Sequence, residues 1–151
     1  METKETLAGK YENRYGIFTQ KVDIKVLHDV ILYDFMPYLK QKNLWFAVWC
    51  VLRDNNCLES EVRPSDFAKQ MMDWFGKTFS KSCLDAYAAT ILSFTQWTQW
   101  NDKFLEKFKG KHGKALDKGR ISINTVEKIY YLCEQFNPII LEKCIKRNIH
   151  S

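Results

Sequence analysis

Glycine and proline are scarce in this chain, which has six glycines and three prolines among its 151 residues. A β-sandwich rich in turns normally contains more of both, so this composition argues against that class. No apolar run reaches the roughly 18 residues that a membrane span requires, and none is expected. The residues from Met1 to Thr6 mix charges with no apolar stretch behind them, so we do not expect a signal peptide.

Signatures of catalysis or of a bound metal are also missing. The three histidines, His28, His112 and His150, lie far apart and never at H-x-x-x-H spacing. Asp29 follows His28 directly, but adjacent helical positions point in different directions, so we do not expect the two side chains to meet. No P-loop, GxGxxG or G-x-S-x-G sequence occurs. We therefore expect a non-enzymatic protein with no catalytic residue, no metal and no cofactor.

The cysteines are odd in number and include no C-x-x-C pair, which argues against a disulfide framework or a zinc knuckle. They are expected to be reduced, small apolar residues of a cytoplasmic protein. The five are Cys50, Cys57, Cys83, Cys133 and Cys144.

Apolar periodicity predicts helices in the first half of the chain. The spacing over residues 22–39 is helical, with Pro37 kinking or ending the helix. Leu44 to Leu52 are nine consecutive apolar residues, which predict a central helix that is apolar all round and continues to Asn56. A third helix begins at Ser65, which serves as its cap, and stops at Gly76.

The second half of the chain continues the helical pattern. The longest periodic segment runs from Ser80 to Lys109, and two further helices are predicted over 124–135 and 138–147, the second capped by Asn137. A short strand is expected near 120–123. Residues 1–151 are therefore predicted to form one all-α (mainly α) domain, a helical bundle of five to seven helices.

Aromatic residues repeat at helical steps within the longest segment, at Trp97, Trp100, Phe104 and Phe108. One interpretation is a platform on which nucleic-acid bases stack. The other is burial against the Leu44–Leu52 helix, the usual role of such a stripe. Trp100 is the best candidate for stacking, because polar residues surround it.

Positive charge is concentrated in one block, residues 103–120, whose net charge of +5 equals that of the whole chain. Such a block creates a local field that attracts anions, and flexible lysines can follow the phosphates of a nucleic acid. The alternative is a solvated loop without a partner. The cations are Lys103, Lys107, Lys109, Lys111, Lys114, Lys118 and Arg120.

Residues 115–130 have the pattern of a helix-turn-helix, in which a small residue and a glycine precede a helix with apolar anchors. Ala115, Gly119 and Val126 occupy these positions, with one residue more than the usual spacing between glycine and valine. Base-reading side chains would be Asn124, Thr125 and Lys128. The alternative is a loop that ends in a capped helix.

Between Leu44 and Glu106 the order of features resembles the helical C-terminal part of RteC-type regulators of Bacteroides conjugative transposons. The resemblance lies in Trp45–Leu52, the polar turn at Asn55-Asn56 and a set of spaced aromatic residues. It implies a bacterial mobile-element regulator. The Arg-rich segment of that family is replaced here by Thr95–Trp100, so the resemblance supplies no site residue.

Together these patterns predict a nucleic-acid-binding regulatory or accessory protein that uses residues 103–120 for phosphates. The alternative is a helical protein-interaction module that associates with itself or with an acidic partner. In that case surplus aromatic side chains such as Trp45, Trp49, Trp97 or Trp100 would form the interface.

Overall fold

The computed structural model describes residues 12–76 and 123–146. This part of the chain is mostly helical and has no strand. Its four α-helices are α1 (Ile24–Val30), α2 (Phe46–Asp54), α3 (Pro64–Phe75) and α4 (Ile123–Ile139). The predicted mainly α class is thus confirmed for these residues, whereas the helix over 80–109 lies outside them.

Helix α1 begins two residues after a short pairing between distant segments. Val22 forms an isolated antiparallel bridge with Ile145, so the predicted helix over 22–39 starts later, at Ile24. Asp23 caps it, because its carboxylate accepts a hydrogen bond from the Val26 amide at 3.3 Å. The helix then widens into a π-helical turn, Ile31–Phe35, and tightens into a 3₁₀ turn, Met36–Tyr38, that contains Pro37.

Helix α2 is the centre of the core. A 3₁₀ turn, Lys42–Trp45, leads into it, and every residue from Leu44 to Leu52 is buried. Asn55 ends the helix and Asn56 adopts a positive φ of 59°, a conformation that asparagine tolerates better than most residues. The prediction of a helix apolar on all sides is confirmed.

Helix α3 has one buried face, formed by Phe67, Met71 and Trp74. Its start differs from the prediction. Arg63 is the residue before the first turn, and its amide donates to Asp66 at 3.2 Å, so Ser65 lies inside the helix rather than capping it. The helix ends at Gly76 as predicted, with the positive φ of 65° that glycine adopts without strain.

The last two predicted helices form one continuous run, which corrects the expected break at Asn137. Helix α4 passes through Pro138 to Ile139 and continues as a π-helical turn, Ile140–Cys144. Proline has no amide to donate to the preceding turn, and a wider turn directly after it relieves the crowding of its ring. Because Ile123 is already helical, the expected strand cannot include it; residues 120–122 lie outside the described residues.

Aromatic contacts hold these helices together. Phe35 stacks on Phe136 of α4 with ring centroids 3.9 Å apart, and Trp49 of α2 meets the ring of Phe67 edge-on at 5.7 Å. Between α2 and α4, the Asn55 amide donates to the side-chain oxygen of Asn137 at 2.6 Å. Asn137 therefore joins two helices instead of capping one.

Hydrogen bonds with two buried side chains of α3, Gln70 and Trp74, hold the segment before α1 in place. Gln70 is fully buried, yet its amide nitrogen donates to the Glu12 carbonyl at 3.1 Å and its oxygen accepts from the Tyr15 amide at 3.3 Å. The indole of Trp74 donates to the same Glu12 carbonyl at 3.0 Å. Satisfying a buried amide in this way avoids a desolvation penalty of about 1–3 kcal/mol.

Candidate nucleic-acid interface

All seven cations of residues 103–120, the predicted phosphate contacts, lie outside the described residues. So do Trp97 and Trp100, the candidates for base stacking and for an aromatic interface. The candidate base readers Asn124, Thr125 and Lys128 lie within the described residues, in the first two turns of α4.

Helix α4 is anchored by the apolar positions that the sequence pattern singled out. Val126 and Ile129 are buried in the core, whereas Lys128 is exposed and Thr125 is half-buried. The spacing of these residues places Lys128 outside the buried face of the helix. The start of α4 therefore has the amphipathic form of a helix that can present side chains to a partner.

The exposed surface of α4 is not cationic in itself. The helix contains a single lysine, Lys128, against two acidic residues, Glu127 and Glu134. Residues 12–76 and 123–146 together contain eleven Lys and Arg and twelve Asp and Glu. The described part of the chain is therefore close to neutral, and the positive excess belongs to the residues outside it.

Three of the five tryptophans are core residues. Trp45, Trp49 and Trp74 are each less than a tenth exposed, and each ring contacts another aromatic ring. Trp45 and Trp49 were candidates for an exposed interaction surface, and that prediction is wrong. They lie in or next to a helix that is buried on all sides, so no face of it is left for a partner.

Among the described residues, the larger apolar side chains that remain exposed are mostly tyrosines. They are Tyr15, Tyr33, Tyr38, Met72, Tyr131 and Leu141. A tyrosine combines an apolar ring with a polar hydroxyl group, so it suits both a solvent-exposed position and an interface.

His28 and Asp29 do meet, contrary to the expectation from their adjacent positions. Nδ1 of His28 lies 3.0 Å from Oδ1 of Asp29. The imidazole is buried, stacked on Phe75 at 4.9 Å and meeting Trp74 edge-on at 5.4 Å. Sequence spacing gave no indication of this pair, because spacing alone does not show how two neighbouring side chains are oriented. The stacked, buried ring has the surroundings of a packing residue.

The four cysteines in the described residues are buried free thiols, as predicted. Burial raises the pKa of Cys57 to about 11 and that of Cys144 to about 12. Burial, together with a hydrogen bond between its thiol and that of Cys133, raises the pKa of Cys50 well above its ordinary value. Protonated thiols are poor nucleophiles and poor metal ligands, so these cysteines serve the core.

No group of three or more His, Cys, Asp or Glu side chains in the described ranges is placed to hold a metal ion. Within the same ranges no helix has both the length and the apolar character to cross a membrane.

Comparison with protein-family models, with curated proteins and with solved structures finds no match to this chain.

Proposed function

We propose that this protein is a non-enzymatic nucleic-acid-binding regulator or accessory factor. The observation that carries the proposal is the separation of charge along the chain. Residues 103–120 have a net charge of +5, whereas the described residues are balanced. A surface with scattered lysines would attract polyanions weakly from every side, but a concentrated block binds them at one place.

Lysines of this block would contact phosphates, which position a nucleic acid without reading its sequence. Asn124, Thr125 and Lys128 at the start of α4 would then read base edges. The buried Val126 and Ile129 support this assignment, because they hold the helix on the core while Lys128 remains exposed. On the resemblance to RteC-type regulators, we also propose a bacterial mobile-element role in the cytoplasm.

The test is gel retardation of mixed DNA and RNA oligonucleotides by the full chain at 50 and 200 mM salt. If about five phosphates are neutralised, the fourfold increase in salt weakens binding several-hundredfold, from a slope of about −0.9 per contact. We expect the charge reversals K109E, K111E and K114E together to abolish retardation while the thermal midpoint barely changes.

A matched control reverses three other lysines, Lys40, Lys42 and Lys69, which are exposed in the described part of the chain. This variant has the same net charge as the first, so it separates a local site from a general charge effect. Equal loss of binding in the two variants contradicts a local site. Tight binding that ignores both the salt and the first three substitutions contradicts the proposal as a whole.

A protein-interaction module is the second candidate, and the exposed rings of Tyr33 and Tyr131 favour it. These residues are 70% and 61% exposed, and tyrosine is among the residue types enriched at protein interfaces. Light scattering distinguishes the two functions. A stable dimer that binds no nucleic acid, and that dissociates when Tyr33 and Tyr131 are replaced by serine, supports the interaction module instead.

A further inference from the structure

Two lysines from opposite ends of the described chain lie side by side. The bridge between Val22 and Ile145 is antiparallel, so Lys21 and Lys146 are directly opposed next to it. The Lys146 amide donates to the Lys21 carbonyl at 2.7 Å, and the Asp23 amide donates to the Cys144 carbonyl at 2.9 Å. Directly opposed residues have their Cβ atoms roughly 5 Å apart. The main chain thus holds two ammonium groups within reach of one another.

Both lysines are exposed, since side chains alternate across an extended segment and Val22 is the one that points into the core. No described carboxylate lies within ion-pair distance of either lysine. Asp23, two residues from Lys21, caps α1, and Asp34 pairs with Lys143 at 3.4 Å. Neither Lys21 nor Lys146 therefore has an ion-pair partner among the described residues.

Polar groups surround Lys21. Its ammonium donates a long hydrogen bond of 3.4 Å to the Asn55 carbonyl, at the end of α2. Asn56, which is exposed, follows in the turn, and its carbonyl accepts from the Thr19 hydroxyl at 2.8 Å. These hydrogen bonds fix the turn beside Lys21, and ammonium groups on an ordered main chain are among the donors that proteins offer to phosphates.

Opposed like charges destabilise a pair of extended segments. Proteins break such local rules mainly where function requires it. We propose that Lys21 and Lys146 form a phosphate-binding site for the backbone of a nucleic-acid strand, additional to residues 103–120. This inference rests on the proposed function and adds a second point of contact to it.

The experiment measures oligonucleotide binding by the full chain over a series of salt concentrations. The variant K21E/K146E is compared with wild type and with K40E/K42E, which reverses two exposed lysines elsewhere and changes the net charge equally. Loss of two phosphate contacts lowers the salt slope by about two in K21E/K146E. In K40E/K42E the slope stays at the wild-type value. K21Q/K146Q, which removes the charges without reversing them, is expected to lower the slope by the same amount.

The possible results separate the Lys21–Lys146 site from the role proposed for residues 103–120. If wild type binds with a steep salt slope but both double variants match it, the Lys21–Lys146 site is refuted and the role of residues 103–120 stands. If wild type binds no nucleic acid, both proposals fall. A final arm titrates inorganic phosphate at constant ionic strength while the amide resonances of Val22 and Lys146 are followed. Shifts with phosphate alone, and none with an oligonucleotide, overturn the assignment to a strand.

Discussion

Trp49 and Trp74 form a matched pair for testing how buried polar groups contribute to this fold. Both indoles are almost completely buried, at 5% and 7% exposure. The Trp74 nitrogen donates to the Glu12 carbonyl at 3.0 Å, whereas no described residue accepts the hydrogen of the Trp49 nitrogen. Replacing each by phenylalanine removes the same volume and the same N–H group, so the two substitutions differ mainly in what that group contacts.

The expected difference follows from the cost of an unmade hydrogen bond. W74F loses a hydrogen bond that contributes about 1 kcal/mol, although the Glu12 carbonyl keeps its bond from Gln70. W49F removes a buried donor without an acceptor, which relieves a penalty of about 1–3 kcal/mol. Both lose packing, so W74F should be less stable than W49F by about 2–4 kcal/mol. For a chain of this size that corresponds to a difference in thermal midpoint of at least about 4 °C.

Urea unfolding followed by far-UV circular dichroism measures both free energies, and equal m-values show that the unfolded states are comparable. W74F should unfold at clearly lower urea concentration than W49F. Equal midpoints, or a W49F that is the less stable of the two, would refute the assignment of hydrogen bonds to these indoles.

Two further predictions concern the contact between α2 and α4 and the buried thiols. In a double-mutant cycle of N55A and N137A, measured by urea unfolding, the coupling energy should be about 1 kcal/mol, because the 2.6 Å hydrogen bond joins the two side chains directly. A coupling energy near zero would contradict this prediction. The free energy of unfolding should fall as pH rises above about 9, because the pKa values of Cys57 and Cys144 are higher in the folded protein, about 11 and 12, than their ordinary value of 9.0. The two protonated thiols contribute fully to the free energy of unfolding below about pH 9, and this contribution is lost as the pH passes through their folded pKa values. The free energy of unfolding of C57A/C144A should therefore decline less steeply between pH 9 and 11 than that of wild type.

The sequence predicted those features of the helices that depend only on nearby residues. Nine consecutive apolar residues can satisfy their backbone polar groups in a helix and bury every side chain, so α2 was predictable as a central helix. Gly76 is the end of α3 because the left-handed conformation there costs glycine nothing. The scarcity of glycine and proline excluded a β-sandwich, and the described residues are mainly α-helical.

Other features depended on neighbours that the sequence does not display. Pro138 signals a break in most sequences, but α4 continues through it, because Asn137 is hydrogen-bonded to Asn55 directly before the proline and the helix widens immediately after it. His28 and Asp29 meet in the fold, where the imidazole packs against Phe75 and Trp74. Ser65 does not cap α3, because the helix already begins at Pro64 and the Arg63 amide before it donates to the Asp66 carboxylate.

The candidate nucleic-acid interface was likewise predictable from the sequence only in part. The sequence alone determined how charge is distributed along the chain, since a count of lysines needs no coordinates, and it located the amphipathic start of α4. Only the tertiary structure decided which aromatic residues are core and that Lys21 and Lys146, 125 positions apart, lie opposite one another. The physical reason is that periodicity reports how a segment divides into two faces, whereas burial and charge pairing depend on which distant segment packs against each face.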